Sequence, residues 1–268
     1  MKSERSLCLL QTFGPEGGNH GATTDTVGRL QQAWCWKVGA RATRLYQHGG
    51  SQALARSEVL AAGYCLTDCT DFVWLDSDAW LEGTVRDHAL ALERVIAASD
   101  ALRAPIALPY VTRLSPEDNR PAFACSFPEG EPRVMRLPNG ERVAKLQGTG
   151  FGFVHCTREH IATMREAYKA QAFRSERPEL AGHDCVYLFG ETLARKAFDN
   201  LDASRPVRAL PEDDSYWHRA ALVGVYAYSL VDLPLTHRGC LGDLAGSYEL
   251  SDEPQDRARH AMQAGSPR

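Results

Sequence analysis

The sequence predicts an α/β fold in which a mostly parallel sheet is flanked by helices. Apolar segments of strand length alternate with segments of helical periodicity over residues 1–111, which gives four strands and three intervening helices. This alternation is typical of parallel sheets, because each connecting helix packs on a face of the sheet. Residues 112–250 alternate less regularly and predict a smaller antiparallel sheet beside the first one.

In the first half, apolar runs bounded by polar or glycine-rich loops define the elements. The predicted strands are 6–13, 42–48, 71–78 and 105–111, and the predicted helices are 26–39, 52–66 and 84–99. The first helix follows a glycine-rich loop at 14–25 and repeats apolar residues at helical spacing, as in Val27, Leu30 and Trp34. Ser51 precedes the second helix and is a residue type that caps helices.

In the second half, turn and capping residues mark the elements. These elements are a hairpin at 133–146, a glycine-rich strand at 148–156, a helix at 157–170, an acidic loop at 211–214 followed by a helix, and a strand at 225–231. Asn139 and Gly140 predict the hairpin turn. Thr157 predicts a helix cap, with Glu159 near the capping-box position. The pattern at 171–211 favours no element.

Composition limits the class of protein. The chain has 268 residues and a formal net charge of −4, so we expect one domain over 1–250 and a polar tail over 251–268. This charge gives no overall attraction to nucleic acid or anionic membranes, although the segment 133–145 is basic. Eight scattered cysteines form no CxxC pair, which favours reduced thiols in a cytoplasmic protein. No apolar stretch approaches the roughly 18 residues of a membrane span.

Two carboxylates follow the third predicted strand. In FVWLDSDAWLE (72–82), an apolar run ends in Asp76, Ser77 and Asp78. In parallel sheets, ligands bind at the carboxyl ends of the strands. Two carboxylates held together repel each other unless a cation or a proton joins them, and a divalent metal is one such cation. The alternative is a polar loop in which an aspartate caps the next helix.

Four segments in order resemble the GT-A glycosyltransferases, which use nucleotide-sugar donors, and in particular bacterial and phage members of family 2. The segments are HGGSQALARSEVLAAG (48–63), FVWLDSDAWLE (72–82), KLQGTGFGFVHCTREHIATM (145–164) and LPEDDSYWHRAALVGVYAYSLVDLPLTHRG (210–239). The resemblance implies a Rossmann-like GT-A fold. It makes 1–111 the half that binds the nucleotide-sugar and 112–250 the half that binds the acceptor.

The resemblance also implies a metal site. Asp76 and Asp78 would bind Mn²⁺ or Mg²⁺, with His237 as a third ligand and Ser77 beside the donor. An imidazole next to two carboxylates suits Mn²⁺ slightly better than Mg²⁺. Thr236 stands where many relatives have glycine.

Further residues take donor-binding roles by resemblance. Gln11 and Thr12 occupy the position that binds the nucleotide base, and Gln11 departs from the proline of many relatives. Arg56 would reach the diphosphate or the base. Gly150 would allow the backbone to approach the sugar closely. Trp217 would stack on a sugar or an acceptor ring.

Asp213 is the catalytic base that the resemblance implies, with Glu212 beside it; the alternative is that both cap a helix. The acceptor is a hydroxyl of unspecified class, and DNA is a candidate that the net charge does not favour. Two other functions stay open, a nucleotidyltransferase and a non-catalytic nucleotide-sugar-binding protein of the same fold.

Overall fold

The structure is a computed structural model that describes residues 5–13, 21–37, 41–48, 51–114, 121–128, 133–190, 192–194, 208–239, 242–249 and 259–264. The helices are α1 (Gly21–Lys37), α2 (Gln52–Leu66), α3 (Val85–Leu102), α4 (Arg158–Ala167) and α5 (Glu212–Leu222). The strands of the first half are β1 (Leu7–Phe13), β2 (Ala42–His48), β3 (Asp71–Leu75), β4 (Ala79–Trp80), β5 (Ile106–Ala107), β6 (Val111–Leu114), β7 (Pro121–Phe123), β8 (Cys125–Ser126), β9 (Val134–Arg136) and β10 (Arg142–Lys145). The remaining strands are β11 (Gly148–Thr149), β12 (Phe153–Thr157), β13 (Ala172–Phe173), β14 (Cys185–Val186), β15 (Thr192–Ala194), β16 (Arg208–Leu210), β17 (Tyr228–Leu230), β18 (Thr236–Gly239), β19 (Gly242–Glu249) and β20 (Arg259–Ala264).

An eight-stranded sheet forms the centre of the molecule, in the order β2-β1-β3-β12-β5-β17-β10-β9. β1 pairs in parallel with β2 and β3, and β5 pairs in parallel with β17. β12 and β10 run against their neighbours, so the other six strands share one direction. The predicted α/β fold with a mostly parallel sheet is confirmed, and small antiparallel sheets accompany it.

Both faces of the central sheet are covered by helices. Leu7 and Leu9 of β1 point to a cluster that includes residues of α1 and α3, whereas Cys8 and Leu10 point to a cluster that includes residues of α2, α4 and α5. Successive residues of a strand face opposite sides of its sheet. β1 is buried along its whole length, which explains why its sequence is a continuous apolar run rather than an alternating one.

Several predicted boundaries are wrong. The third predicted strand, 71–78, ends as β3 at Leu75, and the residues after it form a turn. α1 begins at Gly21, so the second part of the predicted loop at 14–25 is helical, and 14–20 lies outside the described residues. The predicted strand 105–111 joins the central sheet only as β5. Pro109 has no N–H for a ladder, and its carbonyl accepts a hydrogen bond from the Leu235 N–H at 2.9 Å. The chain therefore leaves the central sheet before β6 begins.

Three helix starts differ from the prediction in detail. Ser51 is the N-cap residue of α2, but its side chain makes no capping hydrogen bond. Thr157 caps α4, and the capping box is completed by the His160 side chain rather than by Glu159, because His160 occupies the third helical position. The acidic residues at 212–214 form the first turn of α5 rather than a loop.

The remaining predictions concern the second half. β9 and β10 form the predicted hairpin, and Gly140 in its turn has a φ of 89°. The unassigned segment 171–211 contains strands that pair as β13–β14 and β15–β16. Within the predicted tail, only 259–264 is described, and it pairs with β19. Among the described helices, none combines the length and the apolar character that crossing a membrane requires.

Candidate functional site

The paired carboxylates lie at the carboxyl end of β3, as the sequence predicts. β1, β2 and β3 are parallel, so their carboxyl ends meet at one edge of the sheet. The Asp76 N–H donates to the Gly152 carbonyl at 3.3 Å, and the Asp76 carbonyl accepts from the Ala79 N–H at 3.2 Å. Asp76, Ser77 and Asp78 thus form a short turn between β3 and β4, and all three are half-buried.

Strand pairing brings His237 to this turn. β18 pairs antiparallel with β4, with His237 opposite Ala79. His237 Nε2 therefore lies 3.3 Å from Asp78 Oδ2. The Tyr110 ring packs beside this imidazole, with 5.0 Å between the two ring centroids. Asp78 and His237, which the sequence linked only by resemblance, are in direct contact.

Arg56 joins the turn to the start of α5. Its side chain is only 2% exposed, and its Nη2 lies 3.1 Å from Asp76 Oδ1. Its Nη1 contacts the Asp213 carboxylate and lies 3.6 Å from Glu212 Oε1. The structure therefore brings together six of the predicted residues, because the carboxylates of Asp76, Asp78, Glu212 and Asp213 lie around the side chains of Arg56 and His237.

The site carries excess negative charge. Four carboxylates, those of Asp76, Asp78, Glu212 and Asp213, face one guanidinium and one imidazole. Burial raises the pKa of Asp76, and the charge of Arg56 offsets this rise only in part. Burial also acts to raise the pKa of Asp78, but the hydrogen bond and the charge of His237 outweigh it and the pKa is lowered. Such an arrangement favours binding of a further cation.

The side chains at this turn match the requirements of a divalent metal only in part. Within the described ranges, no three His, Cys, Asp or Glu side chains are already gathered in a metal-binding arrangement. Asp78 and His237 are separated by 3.3 Å, close to the roughly 3 Å between neighbouring ligands of an octahedral ion with bonds near 2.1 Å. Asp76 is bound to Arg56 instead. The donor types suit Mn²⁺ or Mg²⁺, and two of the three predicted ligands are adjacent.

Tyr110 is a site residue that the sequence analysis did not find. A Cβ atom added at Gly150 would lie 2.0 Å from Tyr110 Oη, and one added at Gly152 would lie 2.5 Å from Tyr110 Cε1. Both glycines are thus needed to accommodate this ring. Burial raises the pKa of Tyr110 well above its usual range, and the charge of Asp76 adds to the rise. Because the glycines lie some forty positions away in the sequence, no local pattern connects them to Tyr110.

Gln11 and Thr12 lie at the end of β1, beside β3. Gln11 Nε2 donates to the Leu75 carbonyl at 3.3 Å, and Gln11 Oε1 accepts from Arg44 Nε at 2.8 Å. The Gln11 amide is therefore used within the sheet. The Thr12 hydroxyl is buried and has no hydrogen-bond partner among the described residues. Thr12 is the member of this pair with an unused polar group.

Trp217 lies in the core. It is 2% exposed, its ring stacks on Phe151 at a centroid distance of 5.4 Å, and its Nε1 donates to the Thr149 carbonyl at 2.6 Å. In this structure the Trp217 ring stacks on a protein ring rather than on an open surface. Trp217 instead connects α5 to the glycine-rich segment that precedes β12.

Comparison with known proteins gives no family assignment. No protein-family model and no curated protein matches the chain. Among solved structures, A197 from STIV is similar with a TM-score of 0.45 and 15% identity, covering 98% of this chain and 95% of that one. The 4-diphosphocytidyl-2C-methyl-D-erythritol synthase of Anaerococcus prevotii is similar with a TM-score of 0.32 and 14% identity, covering 66% of this chain and 83% of that one. At TM-scores below 0.5, neither similarity supports a functional assignment.

Proposed function

We propose that the protein is a metal-dependent glycosyltransferase that moves a sugar from a nucleotide-sugar to a hydroxyl acceptor. The supporting observation is the contact of Asp78 with His237 at the carboxyl end of β3, beside Asp76. This edge of an open α/β sheet is where nucleotides and their phosphates bind in such folds. The surplus of carboxylates there favours a bound cation. The divalent metal ion of a metal–diphosphate complex would be this cation.

Asp76, Asp78 and His237 would hold the Mn²⁺ or Mg²⁺ ion. When bound, the ion would neutralise the donor diphosphate and stabilise the departing nucleoside diphosphate. The 3.3 Å distance between His237 Nε2 and Asp78 Oδ2 places both side chains at the same point of the turn before any ligand binds. Tyr110 packs beside His237 and restricts its ring. Gln11 and Thr12, at the end of β1, would lie beside the nucleotide base as the resemblance implies, and the Thr12 hydroxyl is buried in this structure.

Asp213 would accept the proton of the acceptor hydroxyl. In the transfer, the bond between the anomeric carbon and the diphosphate oxygen breaks, and the acceptor oxygen forms the new bond to that carbon. The acceptor proton passes to the Asp213 carboxylate. Its position in the first turn of α5 supports this role, because its contact with Arg56 holds the carboxylate next to the Asp76 turn.

The test is release of nucleoside diphosphate from a panel of nucleotide-sugars, with Mn²⁺, Mg²⁺ or EDTA, in the presence and absence of hydroxyl acceptors. We expect metal-dependent release that is abolished in Asp76→Asn. Asp232→Asn, which removes an exposed carboxylate paired with Arg142, is the matched control and keeps the activity. Pyrophosphate release from a nucleoside triphosphate would replace this proposal with nucleotidyl transfer. Donor binding without any turnover would indicate a non-catalytic binding protein.

A further inference from the structure

Arg56 is enclosed to a degree that is unusual for a residue expected to contact a ligand. Its guanidinium carbon lies 5.2 Å from the ring centroid of Phe151 and 5.9 Å from that of Phe189. Both rings are fully buried, and Arg56 itself is 2% exposed. Contacts of this kind stabilise a desolvated cation and fix the plane of the guanidinium. Arg56 is therefore held rigidly inside the protein.

The guanidinium of Arg56 faces carboxylates from two separate elements. Nη2 binds Asp76, which follows β3, and Nη1 contacts Asp213 and lies near Glu212 at the start of α5. Its terminal nitrogens are directed at protein carboxylates, and the 2% exposure leaves little surface for a diphosphate. These contacts support a role that differs from the diphosphate contact implied by resemblance.

We propose that Arg56 is a positioning residue that fixes the carboxylate of Asp213 relative to Asp76. The inference rests on the proposed function, in which Asp76 holds the metal and Asp213 accepts the acceptor proton. One planar group that contacts both carboxylates sets the distance between the donor side and the acceptor side of the reaction. Such a distance matters because small displacements of a catalytic group from its reacting geometry slow the chemical step strongly.

A lysine at this position would not replace the arginine. The guanidinium presents donors in a rigid planar fork, whereas the ammonium group is a single charged point on a flexible chain. Lysine would preserve the charge and the fold but would not hold Asp76 and Asp213 at the same time. Arg56→Lys therefore removes the simultaneous contact with Asp76 and Asp213 while the positive charge at residue 56 is retained.

The first test is kinetic. We expect Arg56→Lys to lower kcat by roughly 100-fold while the donor KM and the Mn²⁺ affinity stay at wild-type values. Arg219→Lys is the matched control, because Arg219 is also buried but donates to carbonyls, at 2.8 Å to Leu188 and 2.6 Å to Gly190. A donor KM that rises in proportion to the loss of kcat would overturn the inference in favour of a direct donor contact. An unchanged kcat would overturn it as well.

The second test needs no activity. If Arg56 contacts Asp213, the stability lost in Asp213→Asn should be smaller in the Arg56→Lys background than in the wild type, as measured by urea unfolding. If the losses of unfolding free energy from the two substitutions were additive, the proposed coupling between Arg56 and Asp213 would be overturned. A wild-type protein that turns over no donor would contradict the proposed function instead, and the unfolding cycle would still decide whether Arg56 connects the two elements.

Discussion

His237 Nε2 lies 3.3 Å from Asp78 Oδ2, although the two residues belong to different halves of the chain. The contact exists because β18 pairs with the two-residue strand β4, which follows the Asp76–Asp78 turn directly. The two residues of β4 thus determine the position of the His237 imidazole. This short pairing makes the candidate metal site a product of tertiary structure rather than of a local motif.

Removing the imidazole should weaken metal binding without unfolding the protein. We expect His237→Ala to lower the Mn²⁺ affinity by at least about tenfold, since neighbours of a metal site that orient its ligands already contribute that much. His183→Ala, on a half-buried histidine of another region, serves as the control. Titration of Mn²⁺ followed by electron paramagnetic resonance measures both variants. Equal affinities of the two variants would remove His237 from the site.

The contact of Tyr110 with two glycines gives a prediction about stability. Gly150→Ala should cost about 1–3 kcal/mol of unfolding free energy, because the new methyl group meets Tyr110 Oη at 2.0 Å. In a Tyr110→Phe background that atom is gone and the next ring atom is 3.2 Å away, so the cost should largely disappear.

Gly152→Ala is the matched comparison. Its methyl group would meet ring carbons of Tyr110 at 2.5 and 2.8 Å, and Tyr110→Phe leaves these atoms in place. We therefore expect Tyr110→Phe to rescue Gly150→Ala but not Gly152→Ala in urea unfolding. Rescue of both variants, or of neither, would contradict the packing described for this ring.

The elements that are visible in the sequence are those with a local signal. The runs of β1 and β3 are apolar because both sheet faces are covered, and the helices beside them keep a helical spacing of apolar residues. β2 lies at the edge of the sheet and is only partly buried, and its sequence is accordingly polar at Thr43, Arg44 and Gln47. The local sequence pattern does not show which strand each strand pairs with. β12 lies antiparallel between β3 and β5, and nothing near Phe153 in the sequence states this direction.

The candidate site was predictable to a similar extent. Asp76 and Asp78 follow a buried strand, which is a local signal, whereas only the family resemblance points to His237 and Asp213. The contacts of Arg56 with Asp76 and Asp213 join three distant segments and have no sequence signature. The resemblance places Trp217 at a ligand, but its ring is buried against Phe151, and this tertiary contact has no local sequence signal.

Trp217 offers a direct test of its structural role. We expect Trp217→Phe to lower stability by about 1–3 kcal/mol, because it removes the donor to the Thr149 carbonyl and leaves this buried acceptor unpaired. Donor affinity should stay unchanged, since the ring lies in the core. Thermal unfolding and nucleotide titration measure the two effects separately. A stable variant with weakened donor binding would instead show that Trp217 contributes to ligand binding.

Asp71 should make stability depend on pH in the acid range. Burial acts to raise its pKa, but the hydrogen bond and the charge of His155, together with Thr70 and Arg5, outweigh it and the pKa is lowered. A depressed folded pKa stabilises the protein above the unfolded value of about 3.9, and this contribution is lost as the pH falls through the folded pKa.

Asp71→Asn should therefore be less stable than the wild type at pH 7, by about 2 kcal/mol for a lost charged hydrogen bond at a 2% exposed side chain. The difference should shrink as the pH falls below about 4. Urea unfolding at pH 7 and at a pH below about 4 checks this expectation. Asp100→Asn, at an exposed partner of Arg5, is the control and should show a much smaller effect. A difference between Asp71→Asn and wild type that is equal at both pH values would contradict the account of Asp71.

The central claim is that the Asp76–Asp78 turn and His237 bind a nucleoside diphosphate through a divalent metal. Calorimetric titration of the common nucleoside diphosphates into the wild type and into Asp78→Asn, each with Mn²⁺ and with EDTA, tests it most directly. The account predicts that one nucleotide binds the wild type only when Mn²⁺ is present and that Asp78→Asn loses this binding. Binding that EDTA does not change, or the absence of binding by every nucleotide, would contradict it.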